Sequence, residues 1–431
     1  MRRWTLWLAV ACMPAMAAEA DDAMLPPTEL VWRAIAGTPE VHGAEAGVSR
    51  ADAQARLLNG GSYEGQATVI PQRRRVEGDR AYNEWELEIT RPIRLPGKAR
   101  LDREIGSLGK DVARLDLEDA HHTAARRLLA AWADWQRARA ARHQRERLAE
   151  IAQRDRDVVA RRVALGDAAE RERIAADAAL AQAQAMLVEA RRGQTQAELT
   201  WQSLFPALPL PQVEPGEDYA PPELAGNDAA WVAAIVARSH EIGASAALAR
   251  QADAQARRVR ADRVPDPTVG IRVINDLAGR ERAYGVVLGL PLGGSYRSAE
   301  AASARADADA AEAGLAAVRR DIERDARLAV AMARANRALW ASQRQALEAA
   351  RQHAAKAARA YALGEAGIED LLAARRAERE ATLAEHQAAI DAFEAVTRVR
   401  VDAHELWHRH DGEATSPRDA GGLPALPALD G

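Results

Sequence analysis

Acidic side chains are the residues of this sequence whose types and spacing could do chemistry. Glu84, Glu86 and Glu88 recur at every second position, and Glu64 stands in a similar alternation with Gln66 and Thr68. On a strand, that spacing puts the carboxylates on one face. A carboxylate-lined face can draw cations into a wetted passage, or it can be plain polar surface. A second acidic group, Glu365, Glu369 and Asp370, follows Tyr361 and Gly364. It could form a carboxylate ring around a pore, or simply open a helix, where acids suit the dipole. His404 and His408 are spaced i, i+4 beside Asp402, with His410 beyond, and His121-His122 are adjacent. Neither cluster offers a fourth ligand or a Cys, so both are read as solvated histidines and no metal site is expected. No nucleophile elbow and no phosphate-binding glycine loop occurs. The chain is expected to be no enzyme and to need no cofactor.

The elements that carry these residues are legible in the pattern. The chain has 431 residues, 48% hydrophobic and 28% charged but only 4% aromatic, with a formal net charge of −4. Alanine-rich, aromatic-poor composition fits long packed helices, and the charge gives no reason to expect a nucleic-acid partner. Arg2-Arg3, the apolar run Trp4–Met13 and Ala15-Met16-Ala17 read as a signal peptide over residues 1–20. Cys12, the only cysteine, falls inside it and is read either as a lipid-attachment site or as part of the discarded leader; in the latter case the mature chain has no thiol. No later stretch reaches the roughly 18 apolar residues of a transmembrane helix.

Residues 28–59 read as a helix with Thr28 as N-cap, reset at Gly37-Thr38-Pro39. Strict alternation then gives strands. Tyr63, Ala67 and Val69 oppose Glu64, Gln66 and Thr68; across a polar loop from Gln72 to Arg80, Trp85, Leu87 and Ile89 oppose the glutamates and Thr90. A second hairpin sets Val269, Ile271 and Val273 against Thr268, Gly270 and Arg272, and Tyr284, Val286, Leu288 and Leu290 against Ala283, Gly285, Val287 and Gly289. Pro92 and Pro291 close the hairpins. Proline-free arms follow, 99–163 and 169–204, then 297–362 and 369–408. The first would extend on the order of 95 Å if wholly helical. Its irregular apolar seam includes Val112, Leu128, Trp132, Trp135, Ile151, Val158 and Val159.

The chain reads as two copies of one unit. Gly166 and Gly364, each in Ala-Leu-Gly, break the arms 198 positions apart. Ala51-Asp52-Ala53-Gln54-Ala55-Arg56 recurs unchanged 201 positions on, at 252–257. The expected organisation is a first repeat over 21–204, with a hairpin at 62–94 and a helical hairpin at 99–204. A Pro-rich linker at 205–226 and a second repeat over 227–410 follow, the latter with a hairpin at 266–292 and a helical hairpin at 297–410. A disordered tail spans 411–431.

An exported chain with two copies of helix, β-hairpin and long helical hairpin resembles the TolC-like outer-membrane factor family, over about residues 28 to 410. The stretch Arg91–Arg100 resembles its heavy-metal cation efflux subgroup. The resemblance implies a mainly α fold with a small transmembrane β-barrel: a homotrimer whose four strands per chain close a twelve-strand barrel in outer-membrane lipid, above a periplasmic α-helical barrel. Open strand edges are not tolerated in lipid, which agrees independently. It implies an exit duct in the outer membrane of a Gram-negative bacterium, passing heavy-metal cations from an inner-membrane pump of the resistance-nodulation-division type and a periplasmic adaptor. Arg162, Leu165 and Gly166 at one tip, and Tyr361, Leu363 and Gly364 at the other, would dock the adaptor. Tyr361, Glu365, Glu369 and Asp370 would form a gate, although the family's Arg and second Asp are replaced by Ala366 and Ala373. Glu64, Glu84, Glu86 and Glu88 would face the barrel lumen, with Trp85 and Tyr284 toward lipid. The alternatives are a drug or type I secretion duct of the same fold, and a non-channel periplasmic coiled-coil adaptor or scaffold.

Overall fold

The computed structural model describes residues 24–61, 63–75, 77–212 and 219–407. The leader, Cys12, His408, His410 and the expected tail lie outside them. The element order is α1 (Thr28–Ala36), α2 (Pro39–Gly60), β1 (Gln66–Arg75), β2 (Ala81–Pro92), α3 (Pro96–Ala164) and α4 (Glu170–Leu204). The same order then repeats as α5 (Asp228–Arg238), α6 (His240–Ala261), β3 (Thr268–Asp276), β4 (Glu281–Gly289), α7 (Ser295–Ala362) and α8 (Ile368–Asp402). No described helix is long and apolar enough to cross a membrane.

Local chemistry explains most boundaries. Between α1 and α2, the Thr38 hydroxyl donates to the Ile35 carbonyl at 2.8 Å and ends the first helix. Thr28 does not cap α1: the cap is Pro27, whose carbonyl takes the Leu30 and Val31 amides. In the second copy the Asn227 side chain accepts the Ala229 amide at 2.8 Å, and Ser239 caps α6 by accepting the Ile242 amide. The strands outrun the expected ones. Residues 72–75 and 81–83 pair in register (Gln72 with Glu84, Arg75 with Ala81), because exposed arginines satisfy a ladder as well as apolar residues do. Strand β1 thus runs to Arg75 and β2 starts at Ala81, and Glu64 precedes β1.

The residues divide into two compact units, each drawing on both sequence copies. One comprises residues 24–41, 121–238 and 323–407 of the described chain. Its core includes Trp132, Phe393, Leu128 and Val399, with the Trp132 and Phe393 rings 5.0 Å apart. Val158 of the expected seam is exposed there, and Val112 and Ile151 are only half-buried. The Pro-rich segment is a packed connector rather than a free linker: Phe205, Leu208 and Leu224 are buried. Its carbonyls, which prolines leave unpaired, take donors from the Trp201 and Trp135 indoles and from Arg139. The second unit comprises 42–120 and 239–322. It holds the sheet, ordered β1-β2-β3-β4 and antiparallel throughout. Here α2 and α3 approach closely: a Cβ on Gly106 would lie 3.1 Å from Ala55, so only glycine fits without a shift.

Candidate functional site

The sheet separates chemistry by face. Cross-strand register aligns Val69, Leu87, Val273 and Tyr284 in one row and Ala67, Ile89, Ile271 and Val286 in the next. These side chains are largely open: Val286 is 83% exposed and Tyr284 74%. Such an apolar surface on a described chain otherwise rich in charge demands a non-aqueous neighbour. The opposite face carries Glu84, Glu86 and Glu88, as the alternation requires, together with Asp276 and Glu281. Two guanidiniums partly neutralise it. Glu84 is buried, accepting from Gln72 at 3.0 Å and the Leu277 amide at 3.2 Å, with Arg74 3.1 Å away. Arg272 grips Glu86 with both nitrogens. Five carboxylates against two guanidiniums leave that face net acidic. Glu64 lies outside the strand and belongs to neither row.

Where strands become helices, a chain of ionic hydrogen bonds joins the two sequence copies. Tyr63 donates to Asp266 at 2.8 Å; Lys98 bridges Asp266 at 3.0 Å and Asp262 at 2.9 Å and donates to the Val264 carbonyl at 2.7 Å. Arg258 connects Asp262 to Asp102, which Arg94 meets at 3.0 Å. Lys98 is 2% exposed, with all three ammonium donors used. Burial pulls the Asp262 and Asp266 carboxyls upward, but the cations and donors around them outweigh it and hold both below the usual carboxylate range. Burial, reinforced by the bond to Asp266, pushes the Tyr63 hydroxyl up to about 12. Nothing in the sequence reveals the links between the copies, because they join residues some 150 to 200 positions apart.

In the other unit, the two Leu-Gly turns share one geometry. Gly166 has φ +80° and Gly364 φ +76°. The Asp167 amide donates to the Arg162 carbonyl and Gly166 to Val163; Glu365 donates to Ala360 and Gly364 to Tyr361. This is the Schellman closure, in which a left-handed glycine lets orphan helix carbonyls be satisfied. Leu165 is 77% and Leu363 64% exposed. The structure also joins the turns to each other. The Arg162 guanidinium donates to the Tyr361 hydroxyl at 2.6 Å and lies 5.2 Å over its ring, beside a core of Val159, Ala176, Ile368 and Leu371. Glu365, Glu369 and Asp370 are exposed, and Asp370 accepts the Gly367 amide at 3.3 Å as a helix-opening acid. Further along the same helices Arg375 pairs with Asp155, a partnership the sequence did not reveal.

The histidines fall differently from the helical spacing. Helix α8 ends at Asp402, and His404 adopts φ +57°, so it cannot continue a helical face toward residue 408. His404 is buried, not solvated, with its ring centroid 5.3 Å from that of His122. Asp402 is held by Arg126 at 2.7 Å and lies 3.4 Å from His122; burial raises its pKa, and these partners more than reverse the effect. Among the described residues no group of three or more His, Cys, Asp or Glu could hold a metal.

The fold is similar to that of solved outer-membrane channels. The chain is similar to the CmeC outer membrane channel of Campylobacter jejuni, with TM-score 0.74, 15% identity, and 94% of this chain and 90% of that one covered. It is similar to the outer membrane protein VceC of Vibrio cholerae, with TM-score 0.71, 18% identity and coverage of 87% and 95%. It is similar also to the open state of the MtrE outer membrane channel of Neisseria gonorrhoeae, with TM-score 0.70, 18% identity and coverage of 87% and 88%. No family model matches the sequence, and no curated protein matches it. At these identities the likeness establishes the fold.

Proposed function

We propose that this protein is an outer-membrane exit channel of a tripartite efflux system. One observation carries the reading: a four-stranded sheet with an exposed apolar face and two unpaired edges, β1 and β4. Lipid accepts the face but not the edges, because unpaired backbone groups cost several kcal/mol each in hydrocarbon. Three copies would supply twelve strands and close the edges as a barrel. A periplasmic adaptor or scaffold has no use for such a face. Purification should yield a detergent-soluble trimer with pore conductance; a monomer without conductance overturns the proposal.

Within this reading the Leu165 and Leu363 tips, with Arg162, Gly166, Tyr361 and Gly364, dock a periplasmic adaptor joined to an inner-membrane pump of the resistance-nodulation-division type. Tyr361, Glu365, Glu369 and Asp370 form the gate, with the Arg162–Tyr361 contact as its latch in the described state. The cargo is heavy-metal cations. The net acidic sheet face, carrying Glu84, Glu86 and Glu88, supports this, because a carboxylate-rich lumen concentrates cations. Deleting the gene should raise sensitivity to a toxic divalent cation. Sensitisation to organic drugs alone would transfer the cargo to that class.

A further inference from the structure

The apolar face of the sheet ends in arginines. Past the Val69–Tyr284 row, register brings Pro71, Trp85, Asn275 and Arg282 into one row, then Arg73 with Asn83, then Arg75 with Ala81. All lie on the apolar face, since each is an even number of residues from Val69, Leu87, Val273 or Tyr284. Arg73, Arg75 and Arg282 are exposed, and among the described residues none forms a salt bridge. That face carries no carboxylate at all. At the same end the turns carry Arg80 and Arg280, which Asp79 faces electrostatically, and Glu77, so the uncompensated cations are those on the face itself. The opposite face behaves differently: its Arg74 is neutralised by Glu84 and Asp276. At the helix end of the apolar face stands Arg91, donating to the Tyr63 carbonyl. Between Arg91 and Arg73 the strands advance about eight residues, or roughly 27 Å along their length, which a barrel tilt of about 40° turns into a rise of about 20 Å, a little under the roughly 25 Å of an apolar belt.

Unpaired guanidiniums beyond an aromatic residue at the edge of an apolar belt meet the headgroup layer. Cations there gain from anionic headgroups, and a planar guanidinium matches phosphate oxygens two at a time. We infer that Arg73, Arg75 and Arg282 form a binding strip for the phosphate groups of outer-leaflet lipid, with their stems packed along the apolar rows. The inference rests on the barrel reading above and deepens it by naming the lipid this end of the sheet selects.

The test reconstitutes the full chain into vesicles carrying bisphosphorylated lipid A or its dephosphorylated form, and measures lipid retained after detergent extraction. The wild type should retain the bisphosphorylated lipid. The triple variant Arg73→Gln, Arg75→Gln, Arg282→Gln should bind it on the order of a hundredfold more weakly, three surface cations each contributing about a factor of several. Arg73→Lys, Arg75→Lys, Arg282→Lys should keep most of the affinity, and Arg91→Gln should change nothing. Equal retention by wild type and the Gln variant overturns the inference. So does equal binding of the dephosphorylated lipid, or competition by millimolar inorganic phosphate, which would make the strip a free-anion site. Protease protection of the strands in the same vesicles separates the two levels. Unprotected strands overturn the barrel reading itself, whereas protected strands with unselective lipid binding overturn the arginine strip alone.

Discussion

The strand-to-helix junction and the paired Leu-Gly turns both tie sequence copy one to copy two, but with opposite chemistry. The junction uses charges withdrawn from water: Lys98 between Asp262 and Asp266, with Arg258, Asp102 and Arg94 extending the chain. The turns use one guanidinium–phenol contact at the surface, Arg162 to Tyr361, over a small apolar core. Breaking a buried ionic chain strands charges in a low dielectric. Breaking a single half-buried hydrogen bond between groups that can reach water costs less. One region holds its charges out of water, and the other joins its two turns through a single half-buried contact.

The sharpest way to break this contrast is Lys98→Met. It leaves Asp266 without its cation and Asp262 with Arg258 alone, and the expected loss is about 3–5 kcal/mol. Thermal melts followed by circular dichroism should show it; a wild-type melt would mean the junction is ordinary surface. Changing Asp266 to Asn in the same chain should restore much of the loss, because Arg258 and Arg94 then balance Asp262 and Asp102. Acid approaches the same end gradually. The Asp262 and Asp266 pKa values are depressed, so their contribution is complete above the ordinary carboxylate pKa of about 4 and disappears as pH falls through the lower folded values. Melting temperature should drop below about pH 4 in the wild type, and less steeply in the double variant, which has lost one of the two depressed carboxyls.

At the turns, Gly364→Val forces a β-branched residue into φ +76°, a cost of roughly 1–3 kcal/mol confined to the loop. Trimer yield should hold while efflux falls; resistance equal to wild type would remove the turn from the transport cycle. Gly166→Val should strain its turn equally, so a larger efflux defect at Gly364 would mark the second turn as gate as well as docking site. A smaller effect is expected of Tyr361→Phe, which deletes the hydroxyl contact worth about 0.5–1.5 kcal/mol. Its melt should stay unchanged while single-channel open probability rises. Smallest is Asp370→Asn, which keeps an acceptor for the Gly367 amide and loses only a charge near the helix dipole, a few tenths of a kcal/mol. A large conductance change in that variant would show that Asp370 acts in the pore rather than as a helix cap.

Several features were legible without coordinates. Period-two alternation placed the apolar and acidic faces of β1 to β4, and the glycines after alanine-rich runs placed both turns to the residue. The recurring hexapeptide falls in α2 and α6, at matching places in the two runs of elements. The misses share a cause. The strands extended through Gln72–Arg75 because ladder pairing is decided by the opposing strand, not by the polarity of the residues themselves. His404 left the helix because the chain reverses after Asp402 and packs the imidazole inward against His122. The packing of the Pro-rich linker was not legible because donors that dock it, Trp135 and Arg139, lie on another element.

By itself the sequence determined the order of the elements, the ends of most helices and which residues share a strand face. Each of those depends on backbone preferences and periodicity acting over a few neighbours. Tertiary structure alone decided which charges are spent and which stay available. Glu84 and Glu86 are engaged, Lys98 is sealed between two aspartates, and Arg162 rests on Tyr361, while Arg73, Arg75 and Arg282 remain unpaired. A charge's availability depends on the dielectric and on partners brought within about 4 Å, and the chain brings such partners together across more than a hundred residues only when it folds.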